Sequence, residues 1–399
     1  MTISEVEFKF SLPTRIEFGY KKFAKLAGFA ALYGKKAFVV SYQDLSLKNY
    51  VNQCLSDLKQ AGIGSVLFEQ VVENPTYNIV DHGAEIVRKE GCDMIIALGG
   101  GSVIDVAKGI SVCAGDDPVS IWEIVQGREV TNPPLPVIAI PTTAGTGSEV
   151  TQYAVISNRE EKRKEGFGKP EFYPRLALMD PELTLSLPSM TTAVTGLDAL
   201  SHAIEGFTTR FTNSITDALA EKAIRLIAQN IHIAVSESNN RLARYAMMMG
   251  SMLAGIVITH TDTSLAHVIG EATGAVFNIS HGLSVALSLP AVMEFNLDTN
   301  IYKFARVAEL LGGDTAGLTQ TSAARQAPRL VRNLMADLKL PKGLSSLGVT
   351  ESEDVLNLCS RPGWDAANLR PASREDFTDL IKASLAPGMS YWSIEGRKE

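Results

Sequence analysis

Four side chains able to bind a metal ion stand at suggestive spacings in the second half of the chain. Asp198 and His202 lie four residues apart in TGLDALSHAIEGF, so on a helix both project from one face. His267 lies in the helix-like segment LAHVIGEATG, and His281 follows at NISHG. Three imidazoles and one carboxylate suit a borderline divalent ion such as Fe2+ or Zn2+. The alternative interpretation of Asp198 and His202 is a surface pair without a metal.

The other three histidines are interpreted as non-ligands. His82 and His232 are given no role in the site. His260 is kept as a candidate pocket residue and catalytic group, because it precedes His267 on the same stretch of chain.

A glycine turn after an apolar run offers a site for an anionic ligand. The run DMIIALGGG (93–101) is typical of a strand, and VIDVAKGISV after Ser102 has helical spacing. A strand, a glycine turn and a helix start aim backbone N–H groups and the positive end of the helix dipole at an anion. Gly99, Gly100 and Gly101 would let a pyrophosphate approach the backbone without a Cβ in the way. A tight turn without a ligand is the alternative, and the turn is not GxGxxG.

A second loop of small residues follows the next strand. PTTAGTGSEVT (141–151) holds threonine, glycine and serine, which can hydrogen-bond ribose and phosphate while keeping the wall thin. In an open α/β sheet, ligands bind at the carboxyl ends of the strands, where both loops emerge. The two loops together therefore predict a nucleotide site more strongly than either one alone.

The elements that must position these groups fall into two halves. Strands at 35–40, 65–71, 93–101 and 136–143 alternate with helices at 47–61 and 78–90, which predicts a parallel α/β sheet. After about residue 188 the periodicity is helical. We therefore expect an α/β domain over 1–187 and an all-helical domain over 188–399. The predicted helices of the second half lie at 191–208, 215–233, 240–257, 301–311, 323–338 and 374–385.

Composition excludes several classes of protein. A length of 399 residues, 45% hydrophobic and 20% charged, is typical of a globular protein of two domains. The net charge of −7 argues against a nucleic-acid partner, and the mixed-sign run at 159–164 is interpreted as a solvated loop. Four scattered cysteines predict reduced, mostly buried thiols. Without a signal pattern or an apolar run of about 20 residues, we expect a cytoplasmic protein with no membrane partner.

The last residues are left out of functional reasoning. The segment IEGR at 394–397 also matches a protease-recognition tag.

The chain resembles the iron-containing (group III) alcohol dehydrogenases over nearly its whole length. The resemblance rests on GGGSVIDVAKGI, IPTTAGTGSEVT, ALMDPELTLSLP, TGLDALSHAIEGF, NSITDALAEKAI and a pair of histidines fourteen residues apart that ends in SHG. It implies a dinucleotide-binding α/β domain, a helical domain and a cleft between them, an architecture shared with dehydroquinate synthase. It also implies that Asp198, His202, His267 and His281 hold one divalent metal, with Fe2+ ranked before Zn2+ and Mn2+.

The same resemblance assigns the cofactor site. Gly99, Gly100, Gly101 and Ser102 match the pyrophosphate turn, and Lys164 matches a lysine near the nicotinamide ribose. Thr142, Thr143 and Ser148 match the ribose and adenine side. We expect NAD(H) as the cofactor, with NADP(H) as a second possibility, bound with the further help of Ser41, Tyr42, Asp105 and Thr146.

Two positions depart from the family's pattern. Ser41 and Tyr42 stand where the family commonly has Thr-Asp, whose aspartate repels a 2′-phosphate, so the preference for NAD is open. Glu271 stands where the family often has a histidine near the nicotinamide. On a helix it shares the face of His267, where a carboxylate orients the imidazole or passes a proton to solvent. The alternative is a Glu271 side chain that turns away to water or pairs with a nearby cation.

The predicted activity is hydride transfer between a nicotinamide cofactor and a small primary alcohol or aldehyde, by a homodimer or larger homo-oligomer. We expect His267, Glu271 and His260 at the reacting groups. The pocket wall is expected to include Thr151, Tyr153, Phe167 and Phe277. The alternatives are a dehydroquinate synthase-like lyase, which would need a pocket dense in lysine and arginine, and a non-catalytic nucleotide-binding protein.

Overall fold

The computed structural model describes residues 7–115, 119–386 and 389–394. The first six residues and most of the IEGR segment lie outside this described part of the chain.

A six-stranded parallel sheet forms the core of the first half. Its strands are β1 (Arg15–Phe18), β2 (Lys36–Val40), β3 (Gly64–Phe68), β4 (Met94–Gly99), β5 (Val137–Pro141) and β8 (Leu176–Met179), in the order β1-β8-β5-β4-β2-β3. The runs in β4 and β5 are buried at every position, as expected for parallel strands covered on both faces. The four predicted strands are confirmed, while β1 and β8 were not predicted.

Helices fill the crossovers between these strands. They are α1 (Leu26–Ala30), α2 (Lys48–Gln60), α3 (Tyr77–Glu90), α4 (Gly101–Gly115) and α5 (Ile121–Val125). The helix α3 ends at Gly91, which takes the left-handed conformation (φ 64°) that suits glycine after a helix. The predicted helices at 47–61 and 78–90 are therefore confirmed within one residue at each end.

A two-stranded antiparallel hairpin stands apart from the main sheet. It pairs β6 (Tyr153–Asn158) with β7 (Arg163–Gly168), so that Ser157 faces Lys164. The prediction of a solvated loop over 159–164 is wrong at its end, because Arg163 and Lys164 belong to β7 and the Lys164 side chain is buried.

The second half is helical, and no strand follows β8 among the residues that the structure describes. Its largest elements form one continuous apolar core. The six predicted helices are confirmed, while α10 and α13 were not predicted. The helices are α6 (Ser189–Thr208), α7 (Ser214–Ser236), α8 (Arg241–Thr261), α9 (Leu265–Phe277), α10 (His281–Asn296), α11 (Ile301–Leu310), α12 (Gln320–Asp337), α13 (Glu353–Cys359) and α14 (Arg374–Leu385).

The helix α8 has the length and mean hydropathy to cross a membrane. However, 78% of its apolar window is buried inside the protein, where α8 packs against α6 and α7. This burial is typical of a core helix. The four cysteines are free and buried, as predicted.

The loop after β5 joins the two halves through a close backbone contact. A Cβ added at Gly147 would lie 2.5 Å from the Cα of Gly255 in α8, and Gly147 has a φ of 64° that suits glycine. The loop can therefore lie directly on α8. This contact places the carboxyl edge of the sheet opposite the metal-binding candidates of the helical half.

Candidate active site

A cavity of about 1680 Å³ lies between the carboxyl edge of the sheet and the helical half. We call it the central cavity. It contains both predicted loops and all four candidate metal ligands. The predicted site residues that line it are Tyr42, Gly100, Gly101, Ser102, Asp105, Thr142, Thr143, Thr146, Ser148, Thr151, Tyr153, Lys164, Asp198, His202, His267, Glu271 and His281.

Three helices bring the candidate ligands together at one end of this cavity. The Oδ1 atom of Asp198 on α6 lies 4.0 Å from Nε2 of His267 on α9 and 4.0 Å from Nε2 of His281 at the start of α10. One donor atom from each of these residues lies within 4.8 Å of the other two. The ring of His202 stacks on that of His267 with centroids 4.5 Å apart.

The donor atoms at this end have no hydrogen-bond partner among the described residues. The buried atoms without a partner are Asp198 Oδ1, His202 Nδ1, His267 Nε2 and His281 Nδ1. A buried polar atom without a partner is costly, and such atoms are rare in folded proteins. The unpaired atoms of Asp198 and His267 lie 4.0 Å apart, in a group that also includes His281 Nε2, and a bound cation would satisfy them together.

Burial keeps two of these imidazoles neutral, which is the form that ligates a metal. It lowers the pKa of His202 to about 4 and that of His281 well below its ordinary value. Burial also works to lower the pKa of His267, but the carboxylates of Glu205 and Asp198 outweigh it and the pKa is raised.

Glu205, which the sequence analysis did not single out, holds His267 in place. Its Oε2 atom accepts a short hydrogen bond from His267 Nδ1, and its Oε1 atom accepts one of 2.8 Å from the N–H of Ala266. The bond to Nδ1 leaves Nε2 of His267 to face Asp198. A histidine that ligates a metal is usually oriented by such a carboxylate. Glu205 lies seven residues after Asp198, and this helical spacing is the signal that would have found it.

The other end of the cavity carries the glycine turn. The helix α4 begins at Gly101, and the first N–H groups of a helix have no partner within it. A Cβ added at Gly99 or Gly101 would lie 2.5 Å from Val103 or Thr146. At Gly100 the nearest atom, a methyl of Thr143, is 3.3 Å away. Gly99 and Gly101 are therefore needed for packing, and Gly100 is the glycine whose open side faces the cavity.

A buried network lies beneath this turn. The Oγ of Ser148 donates to Asp105 Oδ1 at 2.6 Å and accepts from Lys108 Nζ at 2.8 Å. Burial lowers the pKa of Lys108 to about 8, although Asp105 and Glu149 oppose the shift. Ser148 and Asp105 thus use their polar atoms to fix the loop against α4. Both residues also line the central cavity, so their direct contact with the cofactor stays a prediction.

Lys164 and Glu271 face each other near the metal end. The Nζ of Lys164 donates to Asn74 Oδ1 at 3.0 Å and lies next to α9, where a Cβ on Gly274 would be 3.7 Å away. Burial lowers the pKa of Lys164, and the carboxylate of Glu271 is the largest opposing influence. Burial raises the pKa of Glu271 to about 7, with Lys164 opposing it.

Two family models match this chain. The model for iron-containing alcohol dehydrogenase matches residues 13–181, and the model for the C-terminal region of that family matches residues 192–385. The chain belongs to the iron-containing alcohol dehydrogenase family. It is therefore an oxidoreductase that acts on alcohols or aldehydes.

Relatives of known activity in this alcohol dehydrogenase family differ in substrate. A choline dehydrogenase from Bacillus subtilis is 38% identical over 88% of this chain and 88% of its own length. An NAD-dependent methanol dehydrogenase from Bacillus methanolicus is 33% identical over 88% of this chain and 92% of its own. The crystal structure of a 1,3-propanediol oxidoreductase, 34% identical, superposes with a TM-score of 0.91 over 95% of this chain and all of its own.

The lining of the cavity disfavours the lyase alternative within the described part of the chain. Lys164 is the single lysine there, and no arginine lines the cavity. A dehydroquinate synthase-like enzyme would need a dense set of basic groups for its anionic substrate. The lining of the cavity is therefore consistent with the alcohol dehydrogenase family rather than with a lyase.

The structure separates several predicted residues from the cavity. His260 is not a pocket residue: its ring stacks on Phe10 at 4.1 Å, and its nitrogens hydrogen-bond backbone atoms of Ile256 and Ser11. Ser41 is fully buried and donates to Leu98 O at 2.8 Å, so it supports the strand end rather than a ligand. Gly99, Phe167 and Phe277 also lie outside the lining.

We predict that Glu205→Gln weakens metal binding by about 10- to 100-fold, the usual size of the effect when a carboxylate that orients a ligating histidine is altered. The amide cannot supply the negative charge that now faces His267 Nδ1. Metal content after purification and competition with a chelator measure the change. Glu149→Gln, which alters an equally buried carboxylate outside the metal group, is the matched control. Equal metal affinity in the two variants would refute the orienting role.

Proposed function

We propose that this family member is a metal-dependent, NAD(P)-linked alcohol dehydrogenase and aldehyde reductase that acts on small primary alcohols. The observation that carries the proposal is that the unpaired atoms of Asp198, His202, His267 and His281 open into the same cavity as the glycine turn. Hydride transfer needs this juxtaposition, because the reacting carbon must lie between the cation and the nicotinamide.

We assign the dinucleotide to the sheet end of the cavity. Gly100, Gly101 and Ser102 offer backbone N–H groups and the start of α4 to the pyrophosphate, and Thr142 and Thr143 offer hydroxyls to the ribose. Lys164 would reach the nicotinamide ribose. Tyr42 lines the cavity and hydrogen-bonds Ser102, and it carries no carboxylate to repel a 2′-phosphate. NADPH is therefore expected to be used as well as NADH, with NADH preferred.

We assign one divalent cation to Asp198, His202, His267 and His281, with Fe2+ before Zn2+ or Mn2+. When bound, the cation supplies Lewis acidity and the oxidised nicotinamide accepts the hydride, so that an alcohol becomes an aldehyde and releases one proton. The chain's own part is to hold the ligands, to exclude water and to move that proton. Glu271, half-buried at the wall with a pKa raised to about 7, is placed to receive it.

We further propose the division into domains 1–187 and 188–399, a homodimer or larger homo-oligomer, and a cytoplasmic location. The first is supported by the positions of β8, which ends at Met179, and α6, which begins at Ser189. The second and third are supported by membership of the family.

The proposed function predicts that chelated protein loses its activity and that Fe2+, Zn2+ or Mn2+ restores it. The assay is a panel of small alcohols and aldehydes with NAD(H) and NADP(H), followed by the absorbance of the reduced nicotinamide. Turnover with NADPH is expected but lower than with NADH. Full activity in metal-free protein would contradict the proposed function.

We predict that Gly100→Ala weakens cofactor binding by at least about tenfold, because its Cβ would occupy space that the pyrophosphate needs. The nearest protein atom is a methyl group 3.3 Å away, so the melting temperature should change little. Gly101→Ala should instead destabilise the protein, since its Cβ meets Thr146 at 2.5 Å. The dissociation constant for NADH measures the effect, and an unchanged value in Gly100→Ala would make the turn purely structural.

We predict that Glu271→Gln lowers alcohol oxidation by about 10²-fold with metal content retained. A base acts when deprotonated, so kcat/KM of the unaltered enzyme should fall as the pH drops through about 7, the value to which the pKa of Glu271 is raised. The Gln variant should lack this step, and Glu271→His should recover part of the rate. Loss of metal in Glu271→Gln would indicate a supporting role instead, and unchanged kinetics would exclude any role.

A further inference from the structure

The metal end of the central cavity contains one carboxylate, that of Asp262, which has no lysine or arginine partner among the described residues. The Oδ1 atom of Asp262 accepts a hydrogen bond of 2.8 Å from the N–H of Thr263. Asp262 belongs to no ion pair among the described residues. Each of the other carboxylates at this end lies near a basic side chain or near the proposed cation. Lys164 faces Glu271, Arg163 and Arg361 pair with Glu165, and Asp198 faces the proposed cation.

The backbone of Asp262 is held in a conformation that aspartate rarely adopts. It follows the last residue of α8 with φ 61° and ψ 179°, a region that is essentially reserved for glycine. Strain of this kind persists where the surroundings hold it, and it clusters at functional sites. Here it places a carboxylate at the wall of the cavity, and the side chain is exposed there.

Asp262 lies within electrostatic range of the reacting groups. Its carboxylate acts on Glu271, and the imidazole of His267 acts on Asp262 in turn. It also acts on the phenol of Tyr153, whose pKa is raised first by burial and then by Asp262. A substrate whose hydroxyl reaches the metal end would therefore bring its other end within reach of Asp262.

Two aromatic side chains line the same cavity. Tyr153 stands at the start of β6, and Trp364 follows α13. The guanidinium of Arg361 lies 3.8 Å from the Trp364 ring centroid and is paired with Glu165 at 2.7 Å, so the ring has a fixed position. Tyr153 is the ring within electrostatic reach of Asp262, and Trp364 has one face covered by Arg361. An aromatic face together with a carboxylate is the combination that recognises ammonium and quaternary ammonium groups.

We propose that Asp262 is a specificity-determining residue that selects small primary alcohols carrying an ammonium group, with Tyr153 and Trp364 as the aromatic wall. This inference rests on the proposed function. The negative charge attracts the cationic end of the substrate, while the hydroxyl end is oxidised to the aldehyde. The alcohol carbon gives a hydride to NAD(P)+ and the hydroxyl gives a proton to the protein, so the ammonium group is unchanged.

The test compares two alcohols of nearly the same shape, choline and its neutral isostere 3,3-dimethyl-1-butanol, on metal-loaded enzyme. The unaltered enzyme should prefer choline in kcat/KM by about tenfold or more, the size expected for a partly desolvated charge contact with aromatic support. Asp262→Asn should bring the ratio close to one by losing choline turnover, while the rate with the neutral alcohol stays within about twofold. The matched control is Asp314→Asn. It alters an exposed carboxylate that, like Asp262, accepts a hydrogen bond from a backbone N–H, here that of Ala316.

Asp262→Gly separates selection from a structural role. Glycine suits φ 61° and ψ 179°, so this variant should melt at a higher temperature than the unaltered enzyme and still lose the preference for choline. A lower melting temperature with the choline preference intact would overturn the proposal. A ratio near one in the unaltered enzyme, or an unchanged ratio in Asp262→Asn, would overturn it too. If metal-loaded enzyme oxidises neither alcohol nor any other member of the panel, the proposed function fails and the inference fails with it.

Discussion

The arrangement of the site depends on the burial of four donor atoms that have no hydrogen-bond partner among the described residues. Asp198, His202, His267 and His281 come from three helices, and their side chains lie where α6, α9 and α10 approach one another. The approach is close: a Cβ on Gly282, directly after His281, would lie 3.1 Å from the Cβ of Asp198. Such packing leaves unsatisfied polar groups that a fold retains when a ligand compensates them. The proposed cation site of the helical half would compensate these groups.

The parallel sheet forms the opposite side of the central cavity. Parallel strands direct all their carboxyl ends to one edge, so the turn after β4 and the loop after β5 emerge together. The contact of Gly147 with Gly255 then sets the distance between this edge and the metal end. The buried network of Asp105, Lys108 and Ser148 stiffens the loop at the same point. A hydride donor and acceptor need such fixed spacing, which loops alone would not provide.

The parts of the fold that follow from local pattern were predictable, and those that depend on distant pairing were not. The buried runs in β2, β4 and β5 and the amphipathic helices α7, α12 and α14 are visible in sequence. In contrast, β1 has four residues and pairs with β8 about 160 residues later, a contact that no local pattern encodes. The helix α10 contains Pro290 in its interior, and an interior proline is typical of a helix end rather than of a continuing helix.

The same division applies to the candidate site. The metal-ligand candidates and the glycine turn come from short motifs, and the structure gathers them in one cavity. His260 was misplaced because a side chain's partner is decided by tertiary contacts, and His260 packs on Phe10. Glu205 was missed although its spacing from Asp198 puts both on one face of α6, because its role also needs Ala266 and His267 at the start of α9 to lie beside it. Lys164 was matched by the resemblance, but its burial required the hairpin of β6 and β7.

The charges of the cavity favour the proposed binding of the cofactor by backbone groups. Eight carboxylates line it against one lysine, so an anionic dinucleotide would meet an unfavourable side-chain field there. Helix N-terminal N–H groups can hold a phosphate without adding a basic side chain, and glycine lets the phosphate reach them. In the proposed binding mode, the turn at Gly100 supplies this contact. Asp262 and Glu271 line the other end, where we propose that they meet the substrate. Backbone dipoles would then hold the cofactor and side-chain charge would select the substrate, so the two ends of one cavity would use different physical means.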